Sequence, residues 1–173
     1  PHHLMSAFQL IRMRDSPPIF HQAYDVRDEA GNVVRACPKI RNVNEAILNG
    51  NVLSCNGVFI RSDVMKRNLF NEERDLASLE DWELWIRMSA RYPFLHIAQI
   101  TSTVIHHDDR SVMTKDKSNI IKKVTAFIQA VRDDPENQKV FGKGISNALA
   151  SANTYAALHL ALTGKYKSDV VRY

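Results

Sequence analysis

The feature that most constrains the fold is a change of hydrophobic period near residue 114. Before it, short strand-like and helix-like segments alternate with turns; after it, apolar residues recur only at helical spacing. Leu4, Phe8 and Ile11 predict an amphipathic helix over 3–14, stopped by Asp15-Ser16-Pro17-Pro18. Ile19 to Val26 predicts a strand, 28–32 a tight turn, and Val33-Val34 the start of the return strand. Residues 36–50 are mixed, with a helical turn from Asn44 to Leu48. An extended stretch interrupted by Ser54-Cys55-Asn56-Gly57 and a short helix from Asp63 to Arg67 follow. The clearest helix of this part runs from Ser78 to Tyr92, opened by the capping signature Ser78-Leu79-Glu80-Asp81 and closed before Pro93. Phe94 to Val104 is again extended, and a polar loop begins at His106. Downstream, Ile120, Val124, Phe127, Ile128 and Val131 form one helical stripe. Asp134-Pro135 supplies an N-cap and an N1 proline for a second long helix through Phe141, Ile145, Leu149, Ala156 and Leu160 to Gly164. The expectation is an α/β part over 1–114 and a helical hairpin extension over 115–173.

Composition narrows the class. With 45% hydrophobic and 24% charged residues the chain sits near globular averages, which excludes wholesale disorder, collagen and coiled coil. No apolar run is long enough for a membrane span. Cys37 and Cys55 are too few for a disulfide scaffold, so a reducing, cytoplasmic setting is expected. The net charge of +4 is uneven: residues 1–114 carry 13 basic against 14 acidic side chains, and 115–173 carry ten against five. The basic section suits a solvated helical face or an anionic membrane surface. It lacks the aromatic or Gly/Arg-rich signatures of nucleic-acid binding, so no nucleic acid is expected as a partner. A start at Pro1, already in a helical pattern by Leu4, suggests a piece of a longer protein.

Three constellations could carry chemistry. On a helix, Asp81 shares a face with Leu84, Trp85, Met88 and Tyr92, so it points inward, whereas Glu80 shares the outer face with Glu83 and Arg87. Glu83–Arg87 then reads as a surface i, i+4 pair. Asp81 suits two compatible roles: a cap on its helix, or a general base whose pKa the surroundings tune. His106-His107-Asp108-Asp109 offers imidazole and carboxylate for Mn²⁺ or Zn²⁺, or is a solvated loop. His2-His3 reads as surface. Around Cys55, Gly57 would allow close approach of a ligand, and the thiol reads as a small buried side chain or a nucleophile. There is no G-x-G-x-x-G, P-loop or G-x-S-x-G, which removes dinucleotide enzymes, P-loop NTPases and α/β-hydrolases.

Taken together, Gly50-Asn51-Val52, Asn56-Gly57-Val58-Phe59-Ile60-Arg61, Leu69-Phe70-Asn71-Glu72, Leu79-Glu80-Asp81-Trp82-Glu83-Leu84-Trp85-Ile86-Arg87-Met88 and Arg91-Tyr92-Pro93 resemble the acceptor half of inverting family 2 glycosyltransferases of the GT-A fold. Pro1-His2-His3-Leu4 looks like the stretch after that family's metal-binding D-x-D, and 24–33 like its central hairpin. The resemblance covers 1–114 and implies a partial GT-A domain followed by a helical extension. It implies sugar transfer with inversion from a nucleotide-sugar donor to a glycan or lipid-linked acceptor, at the cytoplasmic face of a membrane. Asp81 would be the catalytic base, and Glu80, Trp82 and Asn56 would line the acceptor pocket. His107, or His106 in the alternative register, would help hold a divalent metal, Mn²⁺ or Mg²⁺, and Ser111 matches the element beside it. No D-x-D occurs in the chain, so a donor half would have to be supplied from outside it and the chain alone would transfer little. Two other classes compete: a non-catalytic helical interaction module, in which Asp81 only caps, and a metal-dependent hydrolase built on 106–109.

Overall fold

A computed structural model describes residues 2–105 and 117–162. The elements are helix α1 (His2–Met13), strands β1 (Ile19–Arg27) and β2 (Val33–Ala36), helix α2 (Val43–Ala46), strand β3 (Val58–Ile60), helices α3 (Ser62–Arg67) and α4 (Glu80–Ser89), and strand β4 (Leu95–Ile105). Helices α5 (Lys117–Asp133), α6 (Pro135–Phe141) and α7 (Ile145–Leu162) follow. The chain is a mixed α/β protein with a four-stranded mixed sheet.

β1 is the hub of that sheet. It runs parallel to β4 along nearly its whole length, from Phe20↔Leu95 to Arg27↔Ile105. Its other edge is shared by two short antiparallel partners, β3 at 19–21 and β2 at 25–27. Residues 19 to 26 are accordingly buried without the alternation of a half-exposed strand, as expected for a strand covered on both faces. The β1–β2 turn is closed by Asn32, whose backbone and side-chain N–H groups reach both Asp28 carboxylate oxygens at 2.8 and 3.0 Å, with Gly31 at φ +88°. Among the described residues the second edge of β4 has no strand partner.

Helix α4 is the centre of the core. Trp82, Leu84, Trp85, Ile86 and Met88 are all buried, and Trp82 stacks on Phe127 of α5 with ring centroids 4.4 Å apart. Ile120, Val124, Phe127 and Val131 of α5 and the small-residue ridge Ala148, Ala152, Ala156 of α7 belong to the same hydrophobic cluster as α4. The helical extension and the α/β part thus share one core. Asn44 caps the far end of α4: its amide donates to the Ser89 and Tyr92 carbonyls at 2.7 and 2.8 Å and accepts from Phe94 N–H. Asp134 caps α6 as expected, accepting from Asn137 N–H at 2.9 Å, and also binds Arg91 at 2.7 Å.

Four readings need correction. The apolar stripe of α1 faces outward: Leu4, Met5 and Phe8 are each more than half exposed, and only Ala7 is buried. The helix lies on the sheet through Ser6, Ala7 and His3, and His3 is not a surface residue. Its ring packs on Phe59 and its Nδ1 lies 2.8 Å from Thr101 Oγ1. The second long helix is broken in two, because Gly142 at φ +50° ends α6 and a 3₁₀ turn over 142–144 redirects the chain. Finally, Ser78 does not cap α4. It sits at φ +76° outside the helix, and its hydroxyl instead accepts from Lys123 Nζ at 3.0 Å.

Candidate functional site

Both residues of the Glu80-Asp81 pair lie at the N-terminus of α4, where helix N–H groups favour negative charge. Asp81 is partly buried. Its Oδ1 accepts from Asn51 Nδ2 at 3.1 Å and from Trp82 N–H at 2.7 Å, while the Cys55 thiol donates to Oδ2 at 3.5 Å. Every one of these donors is neutral. Burial pushes the Asp81 carboxyl above its ordinary value, and the neighbouring Glu80 adds to the rise against the pull of the hydrogen bonds. Glu80 does not stand on an outer face as its spacing suggests: its Oε2 is buried and has no hydrogen-bond partner among the described residues. The helix start is therefore a site of two close carboxylates with no ion-pair partner among the described residues.

The 3₁₀ turn over Cys55–Gly57 supplies the wall opposite. Cys55 is exposed, not the small buried side chain expected of it; desolvation, then the Asp81 carboxylate, push its thiol up to about 12, and it donates to Asp81. The turn turns Cys55, not Asn56, toward Asp81; Asn56 is exposed and accepts from the Ser54 hydroxyl. Gly57 has a packing reason and no ligand reason: a Cβ there would lie 2.5 Å from the Gln22 carbonyl oxygen and 2.9 Å from His21 Nε2. Tyr24 of β1 also senses Asp81; burial above all raises its phenol, and Asp81 contributes.

Trp82 is 3% exposed, with its indole N–H given to the Ile47 carbonyl at 2.8 Å. It nonetheless reaches the floor of a cavity of about 490 Å³, bounded by the 49–51 loop, Ser78-Leu79 and the α7 residues Ser151, Thr154 and Tyr155. Asn51 lies on that boundary as well as on Asp81. Asn51 and the α7 residues were not singled out as site residues from sequence. Asn51 carries one local signal, its place just after Gly50 in a tight segment at φ +145°; the α7 residues carry none.

The acid four positions from Arg87 behaves differently from the surface pair its spacing suggests. Glu83 is buried, and Arg87 grips it with both arms, Nε to Oε1 at 2.8 Å and Nη2 to Oε2 at 3.1 Å, while also donating to the Leu69 carbonyl. The metal-ligand expectation at His107, or His106, lies outside the described residues, as does Ser111. Among the described residues no group of three or more His, Cys, Asp or Glu side chains converges for a metal ion. The donors around Asp81 therefore do not by themselves fit a divalent cation. No helix among the described residues is long and apolar enough to cross a membrane. The chain matches no family model and no curated protein sequence.

Proposed function

We propose that the chain is the acceptor side of an inverting, nucleotide-sugar-dependent glycosyltransferase, with Asp81 as the general base. The observation that carries this reading is the state of one carboxylate. Asp81 is fixed by three neutral donors, raised by burial, and separated by a single side chain, Asn51, from a cavity of about 490 Å³. A carboxylate so held keeps its geometry yet can accept a proton, which is what a base for a sugar hydroxyl needs. In the step, the acceptor hydroxyl gives its proton to Asp81 as its oxygen bonds to the anomeric carbon. The bond from that carbon to the nucleotide diphosphate breaks on the opposite side, which inverts the configuration. The open edge of β4 and the outward apolar face of α1 are surfaces that a nucleotide-binding β-α-β half would cover. The acceptor, on this reading, is a glycan or a lipid-linked glycan, and no step is routed through a metal.

The experiment is Asp81→Asn in a protein carrying this chain together with a nucleotide-binding half. Transfer is expected to fall about 10²–10⁴-fold with donor binding and melting temperature little changed. Transfer at the wild-type rate would remove Asp81 from the mechanism.

A further inference from the structure

Building on the reading of Asp81 as base, we infer that the helical extension forms one wall of the acceptor site, and that the groove between α7 and the start of α4 holds a sugar ring of the acceptor glycan. The groove has a composition matched to a sugar. Tyr155 and Leu158 offer apolar surface for the C–H face of a ring, and Asn51 and Ser151 offer an amide and a hydroxyl for its hydroxyl groups. Ser151 and Arg35 stand on the same rim and add a hydroxyl and a guanidinium to its polar lining. Leu158 is 58% exposed, which leaves apolar surface at the mouth.

Position supports the same occupant. Asn51 borders the groove and hydrogen-bonds Asp81, so a ring seated there is one side chain away from the carboxylate that would take its proton. The wall is also anchored. Lys123 of α5 donates to the Ser78 hydroxyl, and Tyr155 of α7 packs against the His159 ring at 4.1 Å. Ser78 keeps a left-handed conformation unusual for a residue with a side chain, two positions before α4 begins. The extension therefore fixes both the groove and the segment that delivers Glu80 and Asp81.

The test is an amide and side-chain NMR titration of this chain with methyl β-glycosides of glucose, galactose, N-acetylglucosamine and glucuronic acid. At least one should shift the signals of Asn51, Ser151 and Tyr155 with millimolar affinity. Ser151→Trp, which fills the groove, should weaken that binding at least tenfold; Leu158→Asp, a change at an exposed position, serves as the second variant and should weaken it severalfold. No shifts with any of the four, shifts centred elsewhere, or unchanged binding in both groove variants would overturn the inference. The two claims fail separately. Groove binding with transfer surviving Asp81→Asn removes the base and keeps the groove. Transfer lost in Asp81→Asn with both groove variants fully active removes the groove and keeps the base.

Discussion

Helix α4 draws two carboxylates into the protein within three residues, and it treats them in opposite ways. Glu83 is neutralised by a bidentate arginine that is itself tied to the Leu69 carbonyl. Asp81 receives an amide, a backbone N–H and a thiol, and no cation among the described residues. A buried acid locked to a guanidinium has its charge fixed and its role is structural. A buried acid held by neutral donors keeps its position while its charge stays disfavoured, which leaves it able to take up a proton. One helix thus gives Glu83 a cationic partner from its own next turn, whereas the two side chains that reach Asp81, Asn51 and Cys55, come from elsewhere in the fold.

The contrast can be broken from the Glu83 side with the largest effect on stability. Glu83→Gln strands the Arg87 charge in a covered position, and is expected to cost about 3 kcal/mol, with the melting temperature down by roughly 6–12 °C. Activity per folded molecule should stay near wild type. A melting curve and an active-fraction assay on the same sample check both halves.

A second pair of ionisable groups extends the comparison to buried groups with no counter-charge. His21 and His96 stack with centroids 5.3 Å apart and share a hydrogen bond of 3.1 Å between their Nδ1 atoms, while both Nε2 atoms are buried without partners among the described residues. Burial, and then repulsion from His96, lower His21 from 6.5 to about 4. Burial lowers His96 as well. The unfolded chain takes up both protons below the ordinary 6.5, whereas in the folded chain His21 resists until near 4. Stability is therefore full above pH 6.5 and falls as the pH drops toward 4. Urea midpoints measured between pH 7 and 4 check this, and replacing His21 with Gln should flatten the dependence.

The smallest effect sharpens the Asp81 side. Asn51→Ala removes one neutral donor from Oδ1 and is expected to lower transfer about tenfold, near 1.4 kcal/mol, with little change in melting temperature. An equal loss of stability and of transfer would make Asn51 a structural residue only.

Much of this arrangement was legible in the order of residues. The 3.6-residue stripe of α4, the Asp28-to-Asn32 turn and the Asp134-Pro135 start each follow from local chemistry, and each is in place. What local chemistry could not show is which partner each side chain meets across the fold. The i, i+4 spacing of Glu83 and Arg87 was plain, but its burial depends on Leu69 and on the helices packed above it. Asn51 meets Asp81 across 30 residues, and Tyr155 reaches the same region from α7. The α1 stripe has helical period yet faces outward, since periodicity gives the apolar face and not what covers it. Ser78 carries the residue types of a capping box, but Lys123 holds its hydroxyl instead, and its left-handed backbone places it outside the helix.

The central claim is that Asp81 is held in place without being held in its charged form. Its most direct test is a carboxyl ¹³C NMR titration of Asp81, assigned by comparison with Asp81→Asn. The account predicts a midpoint above the ordinary 3.8 of an aspartate, because burial and Glu80 outweigh the neutral donors. A midpoint at or below 3.8 would show that the hydrogen bonds win, and Asp81 would be a helix-start acid like any other.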